Sequence, residues 1–295
     1  MSDLTAQPPV VQSENSVRTS GPLTDLTWLA FDVETTGLSP IACRLVELSG
    51  VKFQLGEKSK QSPDETFSRL INPGEPIPPE VSLIHGIDDA MVANEPSADV
   101  VLAEFIDFAG TALMIAHNAG FDVEFIKVQA LKSKLPVLGN LVVDTLHLAQ
   151  VVLSDVPNYK LKTLSEYFGF AGSQYHRALD DSIYVQKLFC ELLKRSGIET
   201  LEALIETGSV QPFDGFGRSG GPLRGVEHLP LLNSAIEGRQ TVQMTYQSEF
   251  RSKRVVRPQS VIESRGALYL TAYCLKSQAE RTFRVDRIVE ASLKS

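Results

Sequence analysis

The sequence predicts an α/β domain followed by a smaller, mostly β domain, and three observations carry that prediction. From Leu26 to about Leu204, short apolar runs alternate with helical patterns, the mark of strands interleaved with helices. A stretch rich in glycine with no sustained period, residues 207–225, then interrupts the chain as a linker does. Beyond Leu231 the pattern becomes one short helix and a series of runs with period two. At 295 residues the chain is long enough for two cores. The expected division is a disordered tail over 1–25, an α/β domain over 26–205, a linker over 206–225 and a β domain over 226–295.

In the first domain, residues 27–33 (TWLAFDV) and 44–55 (RLVELSGVKFQL) read as neighbouring strands, with 65–71 (ETFSRLI) as a third. Turns over 37–40 and 56–63 join them. Ser97 opens a helix carrying Val101, Leu102 and Phe105, residues 112–116 form a buried strand, and helices follow over 123–131 and 182–195. In the second domain a helix spans 231–236, Val242, Met244 and Tyr246 alternate with polar residues, and strands follow over 254–261, 267–273 and 281–288.

Composition excludes several classes. Hydrophobic residues are 43%, charged residues 22% and aromatics 7%, so the chain is neither globally disordered nor a coiled-coil rod. The three cysteines have no C-x-x-C spacing, which argues against a zinc knuckle or disulfide framework and for free thiols in a reducing compartment. No apolar run approaches the ~18 residues of a membrane span, and the N-terminus lacks the basic start and apolar stretch of a signal peptide, so a soluble cytoplasmic protein with no membrane partner is expected. The net charge of −8 argues against a generic nucleic-acid binder. That charge is unevenly divided: residues 226–295 hold 11 basic and 7 acidic residues, net +4, leaving net −12 on the rest.

Asp32 and Glu34, two apart at the end of an apolar strand, leave the same face. Paired anions of this kind are either solvated or hold a hard cation such as Mg²⁺ or Mn²⁺. Asp122 falls in the first turn of the helix after the run IAHNAGF, where two readings stand: a charge complementing the helix dipole, or a member of the same site. His176 and Asp181 are five apart in HRALDD, so His176 is placed in the loop before the helix that carries Asp181, leaving both able to converge.

In this order, D-x-E, H-N-x-x-F-D and H-x-x-x-x-D, the residues resemble the DEDDh 3′-to-5′ exonucleases, the DnaQ-like group that includes polymerase proofreading subunits and ribonuclease T. FDVETTGL, HNAGFD and HRALDD match its three motifs, and the likeness covers about 26–195. The resemblance implies an RNase H-like fold with a mixed five-stranded sheet. It implies Asp32, Glu34, Asp122 and Asp181 as ligands of two divalent ions, Mg²⁺ or Mn²⁺, and His176 as the general base. The implied reaction is metal-dependent hydrolysis of DNA or RNA from a free 3′ end to 5′-mononucleotides. By the same analogy Thr35 approaches the terminal nucleotide and Leu38 wedges against its base. His85 either lies near the substrate or caps a loop, His117 and Asn118 fix a strand-to-helix turn, and Asp144 makes a structural hydrogen bond.

From Leu231 onward the chain resembles the WYL domain, a small SH3-like or Sm-like β-barrel whose members bind nucleic acid or nucleotide ligands; the tryptophan of the name-giving triplet is Leu268 here. Arg254, Arg257, Arg281, Arg284 and Arg287 offer guanidinium groups suited to phosphate. Strand alternation puts Arg281 and Arg287 on one face and Arg284 on the other, and salt bridges to Glu263, Asp286 and Glu290 are the competing reading. Set against the exonuclease are a sensor that binds 3′ ends without turnover, and an RNA-processing exoribonuclease whose second domain binds protein. A polymerase or helicase partner is not specified by these motifs.

Overall fold

The computed structural model describes residues 20–56, 64–170, 177–217, 223–248 and 250–294. Two compact units meet in sequence between Phe216 and Gly217. The first contains β1 (Thr27–Thr35), β2 (Leu45–Gln54), β3 (Glu65–Leu70), α1 (Pro79–His85), α2 (Asp89–Val92) and α3 (Ala98–Ala109). These are followed by β4 (Leu113–Ala116), α4 (Gly120–Lys132), β5 (Leu141–Asp144), α5 (Thr145–Val152), α6 (Leu161–Tyr167), α7 (Ala178–Ser196), α8 (Leu201–Glu206) and β6 (Val210–Pro212). Among the described residues, no helix is long and apolar enough to cross a membrane.

The strands form one mixed sheet in the order β3-β2-β1-β4-β5-β6. β1, β2 and β3 pair antiparallel, β4 runs parallel to both β1 and β5, and β6 pairs antiparallel to β5. Both faces are covered. Leu29, Phe31 and Val33 of β1 enter the core shared with α3 and α4, whereas Trp28 and Ala30 enter the opposite core beneath α7. There Trp28 meets Phe189 of α7 with ring centroids 4.9 Å apart. That division of β1 by pleat decides where its last residues point.

The sheet carries one strand more than the five expected, and the linker accounts for it. Residues 207–216, read from composition as linker, belong to the first unit: β6 adds to the sheet edge, Phe213 donates its amide to Asn140 O at 2.9 Å, and Phe213 and Phe216 are buried in the α4 core. Lys127, itself buried in a pair with Glu124, donates to Phe216 O. Glycine content concealed two aromatic anchors whose partners lie far away in sequence.

The second unit contains α9 (Leu229–Glu237), β7 (Val242–Gln247), β8 (Arg251–Ser264), β9 (Ala267–Cys274), β10 (Ala279–Arg284) and β11 (Ile288–Leu293). All pairings are antiparallel, in the order β10-β9-β8-β7-β11, and Leu232 and Ala235 of α9 pack into a core with Val242, Met244, Val256, Leu270 and Phe283. The single strand expected over 281–288 is broken by a 3₁₀ turn over Val285–Arg287. Val285 is buried while Arg284 grips Asp286 through two bonds of 3.0 and 2.6 Å, and this turn carries the chain from one edge of the sheet to the other.

Phe213→Ala in the intact chain is expected to cost the first unit about 3 kcal/mol, the range for emptying a buried aromatic site. Urea unfolding followed by the fluorescence of Trp28, the chain's single tryptophan, reads it directly. A midpoint equal to wild type would return residues 210–216 to the status of a linker.

Candidate active site

Because Trp28 and Ala30 face α7, the pleat sends the next two residues of the same parity, Asp32 and Glu34, to that face as well. The core ends there, and the two carboxylates are half-buried. α7 lies across β1 and β2, and its first turn brings Asp181 over the pair. Carboxylate oxygens of Asp32, Glu34 and Asp181 lie within 4.8 Å of one another.

Asp122 arrives from the other direction. Pairing of β1 with β4 ends at Ala30↔Ile115, so the backbone of β1 beyond that point has no strand beside it on this side. The chain leaving β4 turns through Asn118, at φ 62, into α4. In the first turn of α4, Asp122 accepts the amide of Val33 at 3.1 Å, taking the place a strand carbonyl would hold. The bond fixes a 3% exposed carboxylate between the backbones of Asp32 and Glu34.

Electrostatically the cluster is unfavourable with all groups ionised. Burial, then the charge of Asp122 and of Glu34, pushes the Asp32 carboxyl well above the usual range. Burial and the neighbouring Asp181 raise Glu34 to about 8. Burial raises Asp122 to about 8 against the opposing bond from Val33. An all-oxygen, carboxylate donor set at this spacing, holding protons it would shed to a cation, fits a hard divalent metal.

The surrounding residues divide into those that build the walls and those that stay open. Thr35 is buried, its hydroxyl donating to Gly37 O at 2.7 Å, so it shapes the turn after β1. That turn presents Leu38, 81% exposed. His85 is buried and its Nδ1 accepts from Ile87 N at 3.0 Å. His117 bonds Thr145 Oγ1 at 3.0 Å and Tyr159 O at 2.8 Å, while Asp144 accepts from Asn118 N and Leu146 N, each at 3.0 Å. These are scaffold contacts. His176 lies outside the described residues.

One participant escaped the sequence reading. Glu47, opposite Glu34 in the β1–β2 register, is 1% exposed and binds both the Arg177 side chain and the Ala178 amide. The available signal was an acid in the middle of the otherwise apolar run LVELSG.

In the second unit the five arginines do not converge on one site. Arg284 is engaged with Asp286, Arg254 is half-buried with Nε on Ser252 Oγ at 3.2 Å, and Arg287 sits in the 3₁₀ turn rather than on a strand with Arg281. Arg257 instead shares a face of β8 with Arg251 and Lys253, with Val255 between it and Lys253. Phe250, 79% exposed, precedes this row, and Tyr273 lies across from Arg257 on β9.

A mixed six-stranded sheet with carboxylates from β1, α4 and α7 gathered at the end of β1, where antiparallel and parallel pairing meet, defines a class, the metal-dependent nucleases of RNase H-like fold. Residues 29–189 match the RNase_T exonuclease model, and the chain belongs to that family; residues 227–293 match the WYL domain model. Membership implies dependence on a divalent metal, which the donor set fits.

Similar proteins include the PolC-type DNA polymerase III of Caldanaerobacter subterraneus subsp. tengcongensis, 37% identical over 202 residues, 68% of this chain and 14% of that protein. The PolC-type DNA polymerase III of Listeria innocua is 38% identical over 172 residues, 58% of this chain and 12% of that protein. The chain thus spans about one seventh or less of these relatives. Among solved structures, the zinc-bound exonuclease I–ssDNA complex of E. coli matches with a TM-score of 0.53 at 14% identity, over 90% of this chain and 64% of that one. Cell-death related nuclease 4 matches with a TM-score of 0.51 at 14% identity, over 59% and 64%. At these identities the two structures show a shared fold.

Carboxylates raised in the fold bind more protons than in the unfolded chain, so their contribution to stability is full below about pH 4 and is lost as pH rises toward 8. Thermal unfolding in EDTA is therefore expected to show a Tm that falls from pH 5 to pH 8, and added Mn²⁺ raises Tm more at pH 8 than at pH 5. Equal Mn²⁺ effects at both pH values contradict the assignment.

Proposed function

We propose that this chain hydrolyses nucleic acid from the 3′ end to 5′-mononucleotides, with Asp32, Glu34, Asp122 and Asp181 as ligands of two divalent cations, Mg²⁺ or Mn²⁺. The observation that carries this reading is the convergence of Asp32, Glu34 and Asp181 within 4.8 Å, joined by Asp122 through its bond to the backbone between the first two. When bound, the cations supply Lewis acidity for the attacking water and the leaving 3′ oxygen.

The chain's own residues do the rest. Asp122 is held by Val33 N, so its position is set before any cation arrives. His176, supplied by the third motif, takes the proton of the attacking water, a task its near-neutral intrinsic pKa suits. The turn stabilised by Thr35 carries Leu38 to the surface, where it stacks against the terminal base. The relatives named as PolC-type DNA polymerase III and the DNA-bound exonuclease I favour DNA as substrate.

For the WYL domain we place the nucleic-acid contact on the exposed row Arg251, Lys253 and Arg257, flanked by Phe250 and Tyr273, in preference to the full set of five arginines. Arg251 and Lys253 are about 6.8 Å apart along the strand and Lys253 and Arg257 about 13.6 Å, with Val255 between them, so the cations line an extended track suited to a phosphate backbone, with aromatic rings for bases at its ends. Among the described residues, Glu280, across from Tyr273, and Glu290, across from Thr245, stand on either side of the row.

Digestion of a 5′-labelled single-stranded DNA with Mn²⁺ is expected to give a ladder shortening from the 3′ end, abolished by EDTA and by Asp32→Asn. Activity that survives both overturns the reading. In EDTA, the joint change of Lys253→Ala and Arg257→Ala is expected to make the salt dependence of single-strand binding shallower, by about 0.7 in log–log slope for each lost contact. An unchanged slope moves the binding surface elsewhere.

A further inference from the structure

The cluster of carboxylates at the end of β1 has a fifth acid beside it that no ligand role explains. Glu47 stands opposite Glu34 on β2, so both side chains leave the same face of the sheet, toward α7. Its charge adds to the forces raising Asp32 and Glu34, so on electrostatic grounds it makes a crowded anionic site worse. A neutral residue of the same shape would fill the space at lower cost.

What Glu47 does with that charge is hold Arg177. Oε1 accepts from Arg177 Nη2 at 2.8 Å and Oε2 from Nε at 3.2 Å, a two-pronged ion pair. Oε2 also accepts from Ala178 N at 2.9 Å, capping the first turn of α7, whose N-cap residue Arg177 makes no side-chain cap of its own. One turn on, Ser182 of α7 meets Ser49 O, two residues beyond Glu47 on the same face of β2. The start of α7 is thus fastened to β2 at the turn that carries Asp181.

Arg177 is thereby a cation held beside this region, and besides Glu47 it feels the charges of Asp180 and Glu34. Glu34 is also lowered by Arg177, which places the guanidinium near a residue assigned to a metal. A guanidinium released there is a competitor for the carboxylates that a divalent ion needs.

We infer that Glu47 is a positioning residue of the metal site: by pairing with Arg177 it keeps that guanidinium off Glu34 and leaves the ligand carboxylates available to the divalent cation. The inference rests on the metal-site reading above. Its consequence is that loss of the charge on Glu47 weakens metal binding even though one negative charge has been removed from the neighbourhood, the reverse of what a simple count of charges predicts.

Mn²⁺ binding to the full chain, followed by the EPR signal of free Mn²⁺, tests it without reference to turnover. Glu47→Gln retains the shape and the acceptor for Ala178 N, and is expected to weaken Mn²⁺ binding about tenfold, as loss of residues that orient metal ligands does. Adding Arg177→Gln is expected to recover most of that loss. In the nuclease assay, Glu47→Gln lowers kcat at fixed metal with little change in KM for DNA, and excess Mn²⁺ restores the rate. Mn²⁺ affinity in Glu47→Gln within twofold of wild type, or no recovery in the double variant, overturns the inference. Failure of the wild-type chain to bind Mn²⁺ strikes the metal-site reading instead.

Discussion

The packing of α7 across β1 and β2 is the constraint on which the rest of the first unit depends. It is a hydrophobic contact, with Trp28 against Phe189 and with Ala30, Val51, Val185 and Leu188 in the same core, which is continuous with the helices after β5. Burial of this kind has no direction of its own, yet here it sets a direction. Once the even positions of β1 are committed to α7, Asp32 and Glu34 leave from that face, and Asp181 at the start of α7 is brought over them. A site that repels itself is thereby held together by apolar contacts a few residues away, with the repulsion stored as protonation of the acids.

The second fastening is polar. β1 outlasts β4, and the backbone left without a strand is taken up by Asp122; Glu47 caps α7 from the neighbouring strand while holding Arg177. Each of these bonds is at the end of a secondary-structure element, where backbone groups lack regular partners. The geometry of the site is in this sense the termination chemistry of three elements, β1, α4 and α7, brought to one place.

The ligand candidates were legible in the sequence because each is announced locally: a D-x-E at the end of an apolar run, an acid in the first turn after a buried strand, an acid four residues after the loop before a long amphipathic helix. The same holds for the alternation of the mixed sheet. Glu47 was not legible, because its partner is 130 positions away and nothing near it in the chain marks the pairing. Phe213 and Phe216 were hidden by the glycines around them, and their burial depends on α4 and Asn140 rather than on local period. In the second unit, a period-two pattern over 281–288 reads as one strand, but a buried Val285 and the Arg284–Asp286 pair turn the chain there, and the arginine faces inferred from continuous alternation change with it. The net charge, which argues against nucleic acid when averaged, separates into an acidic first part and a basic second unit.

If Glu34 and Asp122 hold protons until a divalent cation arrives, the cation must displace them. Calorimetric titration of Mn²⁺ into the chain at pH 7 in buffers of different ionisation enthalpy counts the protons released on binding. With Glu34 and Asp122 raised to about 8, binding is expected to release at least about one proton per chain, vanishing above pH 9 and lost with Asp181→Asn. Mn²⁺ binding without proton release at pH 7, or binding indifferent to Asp181→Asn, would contradict it.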